Sequence, residues 1–137
     1  MTRYVSVLAM VAAAGALVAC DRGATSPKGA IDARYELQSM NGASLPVTTT
    51  LGTATLRITS DVLLLHRDGT YEDSTTYAIP DNQSVQRSVT IERGKYSISD
   101  NTVAFNDESN GGRYSGLISG TTLTQSVNGL TPVYERR

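Results

Sequence analysis

Two side chains with reactive chemistry occur once each in this chain of 137 residues: the imidazole of His66 and the thiol of Cys20. A hydrolase needs its histidine close to a nucleophile and oriented by a third group. His66 directly precedes the turn Arg67-Asp68-Gly69, and no serine lies in a Gly-x-Ser-x-Gly setting. We therefore interpret His66 as a residue at the end of a strand, and we predict that the protein is not an enzyme.

Metal and nucleic-acid sites find little support in the composition. One histidine and one cysteine are too few for a zinc or copper site. The segment Asn106–Asn110 is rich in oxygen ligands but lacks the spacing and the closing glutamate of an EF-hand, so it is interpreted as a solvated loop. A formal net charge of −1 gives no basic patch for nucleic acid. We predict no metal, no cofactor and no nucleic-acid partner.

Polar side chains lie on the apolar faces of three alternating segments. These segments are Tyr71–Ile79, Val85–Ile91 and Leu123–Val127, and the polar residues are Asp73, Arg87 and Gln125. If the faces point inward, the charges need partners, and Asp73 and Arg87 could pair across consecutive strands. The structural interpretation is an internal salt bridge, or a register slip that exposes the residues. The functional interpretation is a polar anchor inside a small cavity.

A Gly-x-Tyr pattern recurs at strand starts, in Gly69–Tyr71, Gly94–Tyr96 and Gly112–Tyr114. In one interpretation the glycine ends a turn and the tyrosine seals the rim of a barrel. In the other, the tyrosines line the mouth of a ligand cavity. The candidate ligand-binding residues are Tyr71, Asp73, Tyr77, Arg87, Tyr96 and Gln125.

The elements that must position these residues are strands. Tyr, Thr, Val and Ile favour pleated, half-buried surfaces, and nine or ten short segments after Ala30 are separated by turn signals. We interpret Ser60-Asp61 as a tight turn, Leu45–Thr50 as an irregular connection and Gly94 as a bulge or kink. The sequence predicts an all-β fold: an antiparallel up-and-down meander closed into a small barrel of about eight strands. An open two-sheet sandwich is the alternative.

Four stretches of the chain carry a resemblance to a known class. They are Tyr35–Gly42 with Leu45-Pro46, Leu63–Tyr71, Gly94–Tyr96, and Gly116–Leu123 with Tyr134–Arg136. The pattern resembles small bacterial lipoproteins with a lipocalin-like β-barrel. That resemblance implies a barrel fold and no catalytic residues. The Gly-x-Trp signature of lipocalins proper is absent, because the chain contains no tryptophan.

The N-terminus has the pattern of a signal peptide. Arg3 precedes the uncharged stretch Val5–Val18, which is shorter than the roughly 20 residues that span a bilayer. Leu17–Cys20 resembles the lipobox of bacterial lipoproteins. The resemblance implies cleavage between Ala19 and Cys20 and attachment of a diacylglyceride and an acyl chain such as palmitate to Cys20. An uncleaved membrane anchor and a plain secretory signal are the alternatives.

This pattern predicts three regions: residues 1–19 as the lipoprotein signal peptide, 20–29 as the lipidated cysteine and a flexible tether, and 30–137 as the β-barrel domain. Two or more acyl chains give stable anchoring, so we expect the protein at a membrane of the bacterial cell envelope, facing the periplasm or the exterior.

Two functions compete in this framework. A non-enzymatic, lipid-anchored barrel binds a small or apolar ligand in its interior or at its mouth, or a filled barrel binds an envelope protein through its surface. A barrel of eight strands can be filled by side chains or can hold one small ligand, so chain length does not separate the two.

Overall fold

The computed structural model describes residues 29–80 and 85–137, and the regular structure within these ranges is entirely β. The ten strands in these ranges are β1 (Ala33–Met40), β2 (Ala43–Ser44), β3 (Val47–Leu51), β4 (Ala54–Leu65), β5 (Thr70–Pro80), β6 (Val85–Ser99), β7 (Thr102–Asp107), β8 (Arg113–Ser119), β9 (Thr122–Ser126) and β10 (Pro132–Arg136). All of their pairings are antiparallel.

Eight of the strands form a closed barrel. From β4 to β10 each strand pairs with the next along the chain, and β1 pairs with both β10 and β4. This closure leaves no free edge in the barrel itself. Strands β2 and β3 add short pairings outside the ring, on β1 and β4 respectively. The predicted all-β antiparallel barrel is confirmed, and the open sandwich is not formed.

The barrel interior is densely filled along most of its length. Alternate residues of each strand face inward, and the buried apolar residues form one cluster. Leu63, Val103 and Leu123 are fully shielded from solvent. A Cβ atom added to Gly94 would lie 2.1 Å from the Asn106 carbonyl oxygen and 2.8 Å from a Tyr71 ring atom. Glycine is therefore required here by the close approach of β6 to β7.

One end of the barrel is closed by the chain that precedes β1. Ala30 and Ile31 pack against the core cluster. The Tyr96 hydroxyl accepts a hydrogen bond from the Ile31 backbone N–H at 2.8 Å, and it lies 2.8 Å from the carbonyl oxygens of both Ile31 and His66. We call this the plugged end.

At the opposite end three strands of the barrel, β4, β5 and β6, continue past it, and β3 pairs with the first of them. Residues Gln86–Arg93 of β6 pair with β5 but not with β7, which joins β6 only from Gly94 onward. On the other side, β3 pairs with the first half of β4. These outer parts of β3, β4, β5 and β6 form an extension beside the barrel mouth, which we call the flap.

Two predictions about individual elements are wrong, and of the bulge or kink predicted at Gly94 no bulge is formed. Ser60 and Asp61 do not form a turn: they continue β4, whose register against β5 shifts between Ile58 and Ser60. This bulge transfers the inward face from even-numbered to odd-numbered residues. The segment Leu45–Thr50, predicted as an irregular connection, contains most of β3, and the short strand β2 directly precedes it. Pairing of β5 with β6 runs through Gly94 without a register shift.

The predicted signal peptide, its cleavage site and Cys20 lie outside the described residues, as does most of the predicted tether. The described chain begins at Gly29, and β1 begins three residues after Ala30, where the predicted barrel domain starts.

Candidate functional site

Polar side chains gather inside the barrel at the end opposite the plug. Asp61 on β4 follows the bulge and therefore faces inward beside Leu63. Asp73 on β5 stands opposite Leu63 on one side and Glu92 of β6 on the other. Directly opposed residues in antiparallel strands share a face, so the three carboxyl groups point into the same interior. We call this region the acidic end.

Glu92 is held by two tyrosines. The hydroxyls of Tyr71 and Tyr114 each donate a hydrogen bond to Glu92 Oε1 at 2.7 Å, and the two hydroxyl oxygens lie 3.2 Å apart. The ring of Phe105 stacks on Tyr114 at a centroid distance of 4.8 Å and meets Tyr71 edge-on at 5.1 Å. Burial raises the pKa of both tyrosines, so their hydroxyls remain protonated donors.

Asp61 and Asp73 form a second acidic pair. Burial raises the pKa of Asp73 well above its usual range, and the charge of Asp61 and a hydrogen bond with it raise it further. Asp61 Oδ2 accepts a hydrogen bond from the Thr75 hydroxyl at 2.7 Å. Burial and the neighbouring Asp61 carboxyl group therefore both favour the protonated form of Asp73. Burial, followed by the charges of Asp73 and Asp61, also raises the pKa of Tyr134.

Three buried polar atoms at this end have no hydrogen-bond partner among the described residues: Asp61 Oδ1, Asp73 Oδ1 and Gln125 Nε2. Gln125 is only 3% exposed. Asp73 as a whole residue is half-buried, but its Oδ1 atom is shielded from solvent. An unpaired buried polar group costs about 1–3 kcal/mol. A proton held between Asp73 and Asp61 can satisfy oxygen atoms of these two acids, so Gln125 Nε2 is the atom that most clearly calls for an explanation such as a bound molecule.

Two of the three residues that carry unpaired atoms, Asp73 and Gln125, line a cavity of about 130 Å³. Its polar wall is formed by Asp73, Glu92 and Gln125, with the rings of Tyr114 and Tyr134. Its apolar wall is formed by Met40, Val127, Leu130 and Pro132. The volume is close to the roughly 150 Å³ of an engineered protein cavity that accommodates benzene. The cavity can therefore hold a molecule of that size.

Among the residues that the structure describes, no cationic side chain forms an ion pair with the acidic end. The ion pairs found in residues 29–80 and 85–137 engage Asp32, Glu36, Glu72 and Glu108, which are other acids. Buried charges in proteins are normally paired or hydrogen-bonded. The arrangement presents several acceptors and one amide donor to whatever enters. Within the same ranges no three His, Cys, Asp or Glu side chains are placed to hold a metal ion.

The structure brings together two of the six predicted ligand-binding residues at this cavity, Asp73 and Gln125. Tyr71 acts behind the wall, where its hydroxyl holds Glu92. Tyr96 lies at the plugged end with its hydroxyl engaged by backbone groups. The recurring Gly-x-Tyr tyrosines thus do not line one mouth: Tyr114 reaches the cavity and Tyr96 lies at the other end.

Arg87 and Tyr77 lie on the flap. Arg87 stands opposite Ala78 on the outer face and is exposed, whereas Asp73 faces inward opposite Glu92. The expectation of an inward-facing Arg87 paired with Asp73 is therefore wrong. On β6 the even-numbered residues Glu92, Gly94 and Tyr96 face inward. Arg87 is odd-numbered and therefore lies on the outer face. Tyr77 is half-buried, and its hydroxyl lies 3.4 Å from that of Thr90.

His66 is exposed at the end of β4, and its backbone N–H donates to the Thr70 carbonyl oxygen in the hairpin turn at 2.9 Å. It lies at the plugged end, remote from the cavity. The loop after β7 is organised by Asp107, whose Oδ1 accepts hydrogen bonds from the backbone of Ser109 and Asn110.

Sequence reasoning missed Asp61, Glu92, Tyr114 and Tyr134 as members of the site. Because Ser60-Asp61 is interpreted as a turn in the sequence, Asp61 is not recognised as a buried residue of β4. A change of parity was visible in the sequence, because Leu56 and Ile58 are even-numbered and Leu63 and Leu65 are odd-numbered. Such a change signals a bulge between the two pairs, and it would have placed Asp61 inside.

Comparisons of this chain with protein-family models, with curated proteins and with solved structures find no match. In the part of the chain that the structure describes, no helix is long and apolar enough to cross a membrane.

Proposed function

We propose that the protein is a lipid-anchored, non-enzymatic component of the bacterial cell envelope that binds a small ligand at the acidic end of its barrel. The observation that carries this proposal is the coincidence of the 130 Å³ cavity with unpaired buried groups of Asp73 and Gln125 in its wall. A structural barrel would be more stable with apolar side chains at these positions. A binding site needs polar groups that are left for the ligand.

The rest of the barrel interior is filled by apolar side chains, which supports a ligand site at the mouth of the barrel rather than deep inside it. The apolar cluster from Tyr35 to Tyr134 fills the barrel, and the plug covers the other end. The ligand therefore has one point of entry, beside the flap. Leu130 and Pro132 at this entrance are contributed by the β9–β10 connection and the start of β10.

Lipid anchoring is supported by the sequence pattern that ends in Cys20 and by the position of Gly29. The described chain begins at the plugged end, so a tether from Cys20 would reach the barrel on the side opposite the cavity. Residues 20–29 can span roughly 30 Å at about 3.3 Å per residue. With Cys20 in a membrane, the cavity would face away from the lipid surface and stay accessible.

Native mass spectrometry of the full chain, purified from its own host's envelope, tests both parts of this proposal. We expect the denatured mass to exceed that of residues 20–137 by attached acyl chains, and the native mass to include a further species lost on denaturation. A chain with an unmodified cysteine would contradict lipid anchoring. A native protein that carries no additional species, and that acquires none from an envelope extract, would contradict ligand binding.

A second candidate function, the binding of an envelope protein partner, is favoured by the free edge of the flap. Gln86–Glu92 pair only with β5, and on the outer face Val89 and Ile91 are 57% and 43% exposed. An unpaired strand edge with exposed β-branched residues can accept a strand from another chain. Replacing Val89 with lysine should abolish such a complex and leave a ligand at the acidic end unaffected.

A further inference from the structure

The chemistry of the acidic end identifies the class of ligand, and this inference rests on the proposed function. We propose that the cavity binds a small protonated amine that also carries a hydroxyl or carbonyl oxygen, with its ammonium group at Asp73 and Glu92 and its oxygen on the Gln125 amide. The ligand donates to the acids and accepts from Nε2.

The charge of the acidic end favours a cationic ligand. Titratable groups face the cavity or its wall from five strands: Asp61 on β4, Asp73 on β5, Glu92 on β6, Tyr114 on β8 and Tyr134 on β10. All of them are acids, and no lysine, arginine or histidine of the described chain is ion-paired with the three carboxylic acids. A bound cation would supply the missing countercharge, whereas a carboxylate or phosphate would be repelled.

The unpaired side-chain amide of Gln125 indicates that the ligand also carries an acceptor oxygen. Its Nε2 carries two hydrogens and is a donor only, so a bare ammonium group would leave it unsatisfied. An oxygen on the ligand removes this defect. A ligand with a nitrogen donor and an oxygen acceptor therefore matches both halves of the polar wall.

The other residues that line the cavity also fit a small amine. Both tyrosine hydrogen bonds to Glu92 use Oε1, so neither tyrosine occupies Oε2. The ammonium group can also face the rings of Tyr114 and Tyr134, which attract cations. Met40, Val127, Leu130 and Pro132 offer an apolar surface for short methylene groups. The cavity volume limits the ligand to a few heavy atoms.

Binding should release a proton. The ammonium group lies beside Asp73, whose pKa is raised by burial, and stabilises the ionised form of this carboxyl group, so Asp73 gives up its proton when the amine binds. The released proton passes to solvent, and the ligand keeps its own. Affinity should therefore rise with pH until the amine itself begins to lose its proton.

Three probes of equal heavy-atom count test the assignment on the full chain: ethanolamine, propylamine and ethylene glycol. Binding is followed by calorimetry and by the side-chain amide signals of Gln125 in nitrogen-labelled protein. We expect ethanolamine to bind roughly tenfold more tightly than propylamine. Ethylene glycol, which lacks the charge, should bind more weakly than both amines. Only ethanolamine should shift the Gln125 amide signals strongly.

Two substitutions at the site and one control sharpen the test. Asp73→Asn should weaken both amines roughly tenfold or more and abolish proton release. Gln125→Leu should remove the preference for ethanolamine and leave propylamine binding intact. Glu72→Gln is the control, since Glu72 neighbours Asp73 on the same strand but pairs with Arg93 outside. It should change neither affinity, and thermal unfolding verifies that every variant is folded.

Equal binding of ethylene glycol and ethanolamine would overturn the assignment of a cation. Binding of all probes unchanged in Asp73→Asn would place them elsewhere on the protein. If no amine binds while native mass spectrometry finds a retained small molecule, the amine assignment fails and the proposed binding function stands. If neither experiment finds a ligand, both fail.

Discussion

The two ends of this barrel are closed in opposite ways. At the plugged end, Ala30 and Ile31 cover the core, and the Tyr96 hydroxyl binds the backbone of the plug. At the acidic end, carboxyl groups, an amide and two tyrosines surround a cavity and leave three buried atoms unpaired. The plugged end shows that an end of this barrel can be closed without a cluster of buried acidic groups.

We expect the largest loss of stability from a substitution in the packed core between the two ends. Leu63→Ala should lower the free energy of unfolding by about 3 kcal/mol, because Leu63 is fully buried and its removal leaves a cavity. Chemical denaturation measures this loss. Leu117→Ala is the matched control: Leu117 is 49% exposed on β8, so its truncation should cost less than about 0.5 kcal/mol. Equal losses for the two variants would refute the assigned inward and outward faces.

At the acidic end we expect a substitution to act in the opposite direction. Asp73→Asn should raise the free energy of unfolding by about 1–2 kcal/mol at neutral pH in the absence of ligand, because it removes a poorly compensated buried acid. The asparagine amide can donate to Asp61 in place of the protonated Asp73 carboxyl group. Urea denaturation compares the two proteins. A marked loss of stability would mean that Asp73 is satisfied in the native protein and would remove the contrast between the ends.

The difference between these two proteins should depend on pH with a definite sign. The pKa of Asp73 is raised in the folded state above its ordinary value of 3.8. Below that value Asp73 is protonated in both states, and the penalty is absent. As the pH rises, the unfolded chain ionises first, so the wild type loses up to about 1.4 kcal/mol per pH unit until the folded pKa is reached.

The measurement is therefore the free energy of unfolding of both proteins from about pH 3 to pH 7. We expect the advantage of Asp73→Asn to grow as the pH rises above the ordinary pKa of Asp73 and to level off once Asp73 ionises in the folded protein as well. Exposed groups such as Glu36, whose pKa the neighbouring Arg137 and Arg34 hold below its ordinary value, contribute equally to both proteins and cancel. A difference that is constant with pH would contradict a raised pKa of Asp73 in the folded protein.

A smaller loss is expected at the plugged end. Tyr96→Phe should destabilise the protein by about 1 kcal/mol, because the Ile31 N–H loses its acceptor while the ring remains packed. Hydrogen exchange at Ile31 should accelerate more than exchange at Leu63. Tyr77→Phe, which removes a hydroxyl from the flap, is the comparison and should be nearly neutral. Unchanged exchange at Ile31 in Tyr96→Phe would show that this hydroxyl does not hold the plug.

The sequence was sufficient for the fold class because turn signals and alternation recur throughout the domain. It was also sufficient to predict that Asp73 and Gln125 face inward. Asp73 lies two positions after the buried Tyr71, and Gln125 lies two positions after the buried Leu123, so each is on the same strand face as its buried neighbour. It failed for Arg87, which shares its face with Val89 and Ile91. On the flap the apolar face of β6 is the outer one, so hydrophobic alternation there indicates the wrong side.

The remainder of the site depended on long-range pairing. Glu92 is placed opposite Asp73 only by the β5–β6 register, and Tyr134 faces the same interior because β10 joins β1. The sequence alone does not determine such pairings between distant strands, and a bulge at Thr59 inverts the side on which Asp61 lies. Strand closure therefore decides the composition of the acidic end.

A high-resolution crystal structure of the full chain, purified from its own host without refolding, would show whether the acidic end holds a ligand. We expect electron density for a small molecule in the cavity, within hydrogen-bond distance of Gln125 Nε2 and Asp73 Oδ1. A cavity filled by side chains, or one in which ordered waters alone satisfy all three unpaired atoms even after soaking in ethanolamine, would contradict the account.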